Sequence, residues 1–290
     1  MADLQLRELT PQFGTEITGL DPAEALAGDE TRGQLQHLFD TRGVLVFRDV
    51  DIDQTQQANL VRMLIRHDEL APGESPTGRE GGEPFYVSNK EPAGGAPYGR
   101  LLFHADMMWS EHTFQVLSLY GVHIEQPATP TIFVSATWGW ATLPAPLRSK
   151  VESLSATQGH EEAGRADDPD VLVSNFENLP TRSTPVGLKH PRTGDTVLYV
   201  SQQMTRAIET LPQRESDELL EALFSHLYRS EGIYEHHWSE RDFVAWDNIA
   251  VQHARPNVTL DGPTRTLRKI FAPMPPRGTT PKRPSFASAN

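Results

Sequence analysis

A histidine and an aspartate stand two residues apart in the apolar stretch LLFHADMMWS, residues 101–110. His104 and Asp106 can both bind a metal ion, and a lone carboxylate in apolar surroundings is costly unless it is paired, hydrogen-bonded or bound to a metal. If the stretch ends a β-strand, residues i and i+2 share one face, so both side chains point to one place from positions about 6–7 Å apart. The pattern therefore favours a chelating site.

Such a site needs a third ligand from a distant part of the chain. Iron(II) enzymes that activate dioxygen bind the metal through two histidines and one carboxylate and leave the other positions open. His253 is the favoured third ligand because it ends a strand-like run, WDNIAVQH, and precedes Arg265 and Arg268 on the next predicted strand. Side-chain type alone leaves other histidines open: His112, His123, His160, His190, His236 and His237.

The elements that must position these residues are mostly short strands. Hydrophobic spacing predicts helices over residues 31–42, 54–67 and 216–229, the first of them ending at Gly43, which suits a C-terminal cap. Because the strand runs form two groups around a long middle segment, they favour a mainly β fold, a jelly roll or barrel, with flanking helices. The predicted strands are residues 44–48, 114–124, 131–135, 196–201, 242–246, 250–253 and 266–272.

The chain is predicted to form one domain over residues 1–274. Its 290 residues show no shift in composition that would mark a boundary between two domains. Residues 70–100 are rich in Pro, Gly and Glu and are either a lid or a disordered insertion; their position beside His104 favours a lid. Residues 275–290 are predicted to be a flexible C-terminal tail.

Charge and composition exclude several classes of protein. The net charge of −13, from 39 acidic and 26 basic residues, argues against nucleic acid or an anionic membrane as a partner. The chain has no cysteine, which excludes disulfides, thiolate zinc sites and cysteine nucleophiles. The first residues lack a signal-peptide pattern, and no apolar run approaches the ~20 residues of a membrane span. We therefore expect a soluble, cytoplasmic protein with a small-molecule substrate.

The chain resembles the taurine dioxygenase (TauD/TfdA) family of Fe(II)- and 2-oxoglutarate-dependent dioxygenases. H-x-D alone is a weak pattern, but H-x-D followed far downstream by WDN-x-x-x-x-H and then an arginine is strong evidence. The similarity runs through GTEITGLDP (14–22), FHAD (103–106), LYVSQ (198–202), WDNIAVQH (246–253) and TRTLRKI (264–270). The resemblance implies a double-stranded β-helix, a cupin-like jelly roll, with His104, Asp106 and His253 as iron ligands.

The resemblance also implies an arginine on the last strand that binds the distal carboxylate of 2-oxoglutarate. A match without a gap puts Arg265 there, with the hydroxyl of Thr131 beside it and Lys269 where sulfonate-using relatives carry a substrate-binding arginine. A shift of one residue selects Arg268 instead, and the choice stays open. Strand alternation places Arg265, Leu267 and Lys269 on one face and Arg268 on the other, so only one arginine should point into the cavity.

The function implied is oxidation, most simply hydroxylation, of a C–H bond with Fe(II), 2-oxoglutarate and O2, which yields succinate and CO2. Residues 71–73, Phe103 and Lys269 depart from sulfonate-using relatives, so the substrate is expected to be larger or more hydrophobic than taurine. Desaturation stays open as an outcome, and the family implies a homo-oligomer, a dimer or tetramer. Two other classes remain: a zinc-dependent hydrolase with the same ligands, and a non-catalytic jelly-roll sensor of metal and 2-oxoglutarate.

Overall fold

The computed structural model describes residues 4–69, 83–92, 94–159 and 180–273. The described helices are α1 (Pro22–Ala27), α2 (Asp29–Arg42), α3 (Gln54–Leu64), α4 (Ala136–Ala141), α5 (Ala145–Val151) and α6 (Gln213–Leu227). The first eight strands are β1 (Gln5–Glu8), β2 (Thr15–Thr18), β3 (Val44–Phe47), β4 (Phe85–Ser88), β5 (Gly99–His104), β6 (Val116–Ile124), β7 (Thr131–Ser135) and β8 (Ser155–Gln158). They are followed by β9 (Arg182–Pro185), β10 (Gly187–Lys189), β11 (Thr196–Leu198), β12 (Thr205–Ile208), β13 (Ile233–His236), β14 (Phe243–Asp247), β15 (Val251–Val258) and β16 (Arg265–Ala272).

Two sheets form the centre of the molecule. The larger has the strand order β1-β2-β3-β14-β6-β16-β4, and the smaller has the order β13-β7-β15-β5. All neighbours in the two sheets are antiparallel except β2 and β3, which are parallel. Two further small sheets, β12-β8-β9 and β10-β11, complete the described strands. The predicted mainly β fold with flanking helices and a jelly-roll core is confirmed.

Strand alternation divides the core into layers. On β14, Val244 and Trp246 point between the two sheets, where Phe133 of the smaller sheet packs with them. Phe243 and Ala245 alternate with them and point to the opposite face, beneath α2 and α3. The outer face of the smaller sheet packs against α5, α6 and neighbouring strands. Side chains that face the space between the sheets can therefore meet one another.

The predicted helix cap at Gly43 is confirmed. Gly43 has φ +71, its N–H donates to the carbonyl of Phe39, and a Cβ atom there would come within 2.9 Å of Val251 Cγ2. A left-handed backbone costs an L-residue with a side chain about 1–2 kcal/mol. Glycine thus allows the turn by which α2 leads directly into β3.

We expect opposite effects from two glycine-to-alanine changes near this junction. Gly43→Ala should lower the free energy of unfolding by at least about 1–2 kcal/mol, because it adds backbone strain and a close contact. Gly33→Ala, on an exposed position of α2 with open space around it, should raise it by about 0.5–1 kcal/mol. Urea denaturation of both variants checks the pair, and equal stabilities would contradict the prediction.

Some predicted boundaries are wrong by a few residues. The second predicted helix, 54–67, ends at Leu64 because the chain turns into a left-handed conformation at Arg66, φ +60. The third, 216–229, begins earlier, at Gln213 directly after Pro212, and ends at Leu227. The strand predicted over 196–201 is shorter and ends at Leu198.

The predicted insertion 70–100 is partly ordinary sheet structure. Phe85–Ser88 pairs with β16 as an edge strand of the larger sheet, and Gly99 begins β5. Residues 70–82 and 93 lie outside the described residues, as does the predicted tail, 275–290. The lid predicted for the insertion 70–100 therefore stays a prediction. In the described part of the chain, every helix is too short or too polar to cross a membrane.

Candidate metal centre

His104 and Asp106 reach a common point by a route that differs from the predicted one. His104 is the last residue of β5, whereas Asp106 lies in the turn that follows, where Met107 has a left-handed φ of +63. The expectation that both residues lie on a strand is therefore wrong for Asp106. The turn, and not strand alternation, brings Asp106 Oδ1 to 3.2 Å from His104 Nε2.

His253 joins them through the pairing of β15 with β5. The two strands are antiparallel and place His253 directly opposite His104, with the ring centroids 4.2 Å apart. His253 Nε2 lies 3.8 Å from Asp106 Oδ1. One nitrogen from each histidine and one carboxylate oxygen all lie within 4.8 Å of one another. The three predicted ligands thus form a single cluster, the His-Asp-His cluster.

The protonation of this cluster suits a metal ion. His104 Nδ1 lies 2.7 Å from the carbonyl oxygen of Leu102, which can only accept, so Nδ1 carries the proton and the neutral ring has a lone pair at Nε2. That lone pair faces a carboxylate oxygen, an arrangement that a shared cation satisfies. Burial, together with His104, lowers the pKa of His253 well below its usual range despite the opposing effect of Asp106. A neutral imidazole is the form that binds metals.

Asp106 is ionised in spite of its surroundings. Burial alone would raise the pKa of its carboxyl group, but Lys269, His104 and His253 hold the pKa well below its ordinary value. Lys269 Nζ contacts Asp106 Oδ2 as a salt bridge. Two imidazoles and one carboxylate on one side of a site are the donor set of iron(II) oxygenases, so the residues present fit that metal.

Asn248 fixes the backbone of Asp106. Its Oδ1 accepts from the N–H of Asp106 at 2.9 Å, and its Nδ2 donates to the carbonyls of Asp106 and Phe114 at 2.8 and 3.1 Å. The preceding residue, Asp247, accepts from the N–H groups of Ile249 and Ala250 and so fixes the turn into β15. Asp247 and Asn248 thus position two members of the His-Asp-His cluster, His253 and Asp106.

We expect Asn248→Ala to destabilise the protein. The change leaves three backbone groups without their partner, and each costs about 1–3 kcal/mol if nothing replaces the hydrogen bond. The dissociation constant for Co(II) should also rise about 10- to 100-fold, the range typical of changes beside a metal ligand. Urea denaturation and Co(II) titration check both effects, with the exposed Asn257→Ala as the matched control. Equal behaviour of the two variants would contradict the prediction.

Thr131 and Arg265 lie together between the sheets. Arg265 donates from Nη2 to Thr131 Oγ1 at 3.0 Å and from Nε to the carbonyl of Thr129 at 2.9 Å. Trp238 Nε1 also donates to Thr131 Oγ1, at 3.0 Å. The hydroxyl therefore accepts two hydrogen bonds and keeps its own proton free to donate. We call these two residues the Thr131–Arg265 pair.

Arg268 points to the other face of β16. It donates to Gln57 Oε1 at 2.7 Å and to the carbonyl of Ile52 at 2.8 Å, and its guanidinium lies over the ring of Tyr120. These partners belong to α3, the loop before it, and β6. The strand alternation predicted for Arg265 and Arg268 is thus confirmed, and Arg268 lies on the face of the sheet away from the His-Asp-His cluster.

Arg255 is a buried cation that sequence reasoning missed. It is 4% exposed, and among the described residues it donates only to carbonyls, those of Ala96, Tyr98 and Gly99. Burial lowers its pKa to about 10. Burial and the proximity of Arg255 lower the pKa of Arg265 well below its usual range. Both arginines follow the WDNIAVQH run in the sequence, but their proximity in the folded protein was not visible there.

The other candidates lie apart from the cluster. His190 pairs with Asp247 at 3.1 Å, and His236 lies 3.2 Å from Asp242, so both belong to other buried networks. Met108 and Trp109 are packed in a small core with other apolar side chains. The described His112, His123 and His237 are not members of the described metal-binding group, and His160 lies outside the described residues.

A jelly-roll core that joins two histidines and one carboxylate defines the class of 2-His-1-carboxylate metalloproteins. The chain matches the model of the Taurine catabolism dioxygenase TauD, TfdA family over residues 5–271. It therefore belongs to the TauD/TfdA family of dioxygenases, and the His-Asp-His cluster is the site that fits the iron of such an enzyme. The predicted cofactors, Fe(II), 2-oxoglutarate and O2, agree with this membership.

Several proteins of this family are similar along most of their length. The alpha-ketoglutarate-dependent 2,4-dichlorophenoxyacetate dioxygenase of Cupriavidus pinatubonensis is 25% identical over 260 residues, covering 84% of this chain and 89% of the relative. The alkylsulfatase of Acinetobacter baylyi is 26% identical, covering 92% of this chain and 84% of the relative. A taurine dioxygenase structure from Burkholderia xenovorans has a TM-score of 0.74 at 24% identity, covering 92% of this chain and 90% of that one. That structure confirms the fold.

Proposed function

We propose that the protein hydroxylates a C–H bond of a small organic substrate while 2-oxoglutarate is decarboxylated to succinate and CO2. His104, Asp106 and His253 would hold Fe(II), and the Thr131–Arg265 pair would bind the distal carboxylate of 2-oxoglutarate. When bound, the metal supplies the activation of dioxygen, which no side chain can supply. The protein's own residues bind the keto acid, orient it and keep its charge paired.

One observation carries this proposal: a buried guanidinium without a counterion faces the same space as the His-Asp-His cluster. Arg265 is 4% exposed, and in the described part of the chain no carboxylate forms an ion pair with it. A buried unpaired charge is costly, and the nearby Arg255 adds to the cost. An anion is therefore expected beside Arg265 when the enzyme works.

The register of the smaller sheet gives the distance between the anion site and the metal site. Phe133 on β7 pairs with His253 on β15, and Thr131 lies two residues further along β7 on the same face. This separation along the strand is about 6–7 Å. A five-carbon dicarboxylate bound to a metal through its keto acid end can reach across such a gap. The forked guanidinium of Arg265 suits the distal carboxylate because it can donate two parallel hydrogen bonds.

The substrate is proposed to be larger or more hydrophobic than taurine. Lys269, at the position of a substrate-binding arginine in sulfonate-using relatives, is already paired with Asp106. The similarity to a 2,4-dichlorophenoxyacetate dioxygenase supports a bulky organic substrate. Met108 and Trp109 are packed in the core and are not proposed as substrate contacts.

Two measurements test the proposed function. Anaerobic addition of Fe(II) and 2-oxoglutarate to the metal-free protein should give the weak visible charge-transfer band of the chelate; a folded protein without the band would favour the zinc hydrolase. A panel of organic acids and sulfonates assayed for succinate should show turnover with bulky members. Turnover with taurine and none with bulkier acids would contradict the substrate class, and binding without any turnover would favour the sensor.

We also propose that the enzyme acts in the cytoplasm as a dimer or tetramer, as the family resemblance implies. Its net charge of −13 supports a small-molecule substrate and not nucleic acid or an anionic membrane. Light scattering of the purified protein measures the oligomeric state, and a monomer at working concentration would contradict the proposal.

A further inference from the structure

The two carboxylate oxygens of Asp106 have different partners. Oδ1 faces both imidazoles, 3.2 Å from His104 Nε2 and 3.8 Å from His253 Nε2. Oδ2 is bound instead by the ammonium group of Lys269. The metal-binding carboxylate is thus divided, with one oxygen turned to the metal site and one turned away from it.

This division is built into the fold. Lys269 lies on β16 on the same face as Arg265, and only 16% of its side chain is exposed, as is the case for Asp106. The backbone of Asp106 is bound on both its N–H and its carbonyl by Asn248. Because the backbone is fixed and one oxygen is bound, the carboxylate has little freedom to rotate.

We propose that Lys269 is a positioning residue that keeps Asp106 from binding the metal through both oxygens. The inference rests on the proposed function. Carboxylates bind metal ions through one oxygen or through two. A second oxygen would occupy a position that the keto acid needs, since two histidines and one single oxygen are what leave that part of the site open.

The residue type supports this role over a substrate-binding role. A lysine ammonium is a compact point charge, suited to one oxygen, whereas an arginine fork matches both oxygens of a carboxylate. An arginine at residue 269 could grip both oxygens of Asp106 or reach an anionic substrate. Lys269 contacts Oδ2 and leaves Oδ1 free to face the histidines. The positive charge of Lys269 is already neutralised by Asp106.

The test uses Co(II) in place of iron, with visible absorption as the signal of ligand binding. Lys269→Met removes the donor to Oδ2, and Lys150→Met, at an exposed position of α5, is the matched control. Lys269→Met should still bind Co(II), but its dissociation constant for 2-oxoglutarate should rise at least about tenfold, the lower end of the range for changes beside a metal ligand. Lys150→Met should match the wild type.

Lys269→Gln keeps one N–H donor for Oδ2 and should bind 2-oxoglutarate more tightly than Lys269→Met does. If circular dichroism shows that Lys269→Met is not folded, Lys269→Ala takes its place as the variant without a donor. Unchanged 2-oxoglutarate binding in the donor-free variant overturns the proposal. Loss of Co(II) binding also overturns it, because Lys269 would then be needed for metal binding itself.

Two other results distinguish the positioning role of Lys269 from a substrate-binding role and from failure of the proposed function. If the donor-free variant binds 2-oxoglutarate normally and only the KM for an anionic substrate rises, Lys269 is a substrate anchor and the proposal is overturned. If Co(II)-loaded wild-type protein shows no response to 2-oxoglutarate, the proposed function fails as well. In that case the wild type and all variants behave alike, which distinguishes the two failures.

Discussion

Asp106→Asn is expected to raise the dissociation constant for Mn(II) more than about 100-fold and to abolish succinate formation. Changes to residues that only contact a metal ligand typically cost about 10- to 100-fold in affinity, so the loss of the sole charged ligand should cost more. The side chain keeps its size and shape, but its single oxygen can face either the metal or Lys269. The effect therefore combines the loss of the charge with the loss of one carboxylate oxygen.

The matched control is Asp51→Asn, because Asp51 is exposed and lies in the loop before α3, away from the cluster. It should bind Mn(II) as the wild type does. Titration of both variants, followed by the electron paramagnetic resonance signal of free Mn(II), gives the comparison. Tight Mn(II) binding by Asp106→Asn would show that the metal lies elsewhere and would remove the assignment of His104, Asp106 and His253.

Arg265→Met should nearly abolish binding of 2-oxoglutarate without loss of folding. Removing one member of a buried hydrogen-bonded charge pair costs about 2–5 kcal/mol in binding, which corresponds to a factor between about 30 and a few thousand. The metal-free variant should be as stable as the wild type or more stable, because a buried unpaired cation is replaced by an apolar side chain of similar length. The substitution should therefore keep or raise the stability of the free protein while it weakens the binding of 2-oxoglutarate.

Arg268→Met is the control on the same strand and should give the reverse result. Its guanidinium binds Gln57 and the carbonyl of Ile52, so its loss should lower the free energy of unfolding by about 1–3 kcal/mol. The KM for 2-oxoglutarate should stay unchanged. Calorimetric titration with 2-oxoglutarate measures binding by both variants, and urea denaturation measures their stability. A normal KM in Arg265→Met with a raised KM in Arg268→Met would reverse the assignment.

The strands that carry the site could be predicted because their sequence pattern is strong. The predicted strands 250–253 and 266–272 cover part of β15 and nearly all of β16, and the period of two places Arg265 and Arg268 on opposite faces without knowledge of the tertiary structure. The long-range pairing of His104 with His253 was not visible in the local pattern. The position of His253 at the end of a strand-like run favoured it as the third ligand, the family resemblance selected it, and the antiparallel register of β5 and β15 now explains the pairing.

What the sequence could not show depends on backbone turns and on distant contacts. Asp106 lies outside β5 because the chain turns at Met107. Methionine rarely adopts a left-handed conformation, so the sequence did not predict this turn. The contact between Lys269 and Asp106 joins residues from opposite ends of the chain. Residues 85–88 read as part of a polar insertion because the Pro and Gly around them conceal a four-residue edge strand.

β5 pairs with a neighbour on one side only within the described strands, whereas β15 is bordered by β7 and β5. His104 therefore lies on the edge strand of the smaller sheet, and His253 lies on an interior strand. Fraying of β5 would remove His104 from the cluster, whereas Asn248 and Lys269 would still hold Asp106. A bound metal ion would therefore stabilise the pairing of the edge strand β5 with β15. His253, on an interior strand, would keep its position when the ion is absent.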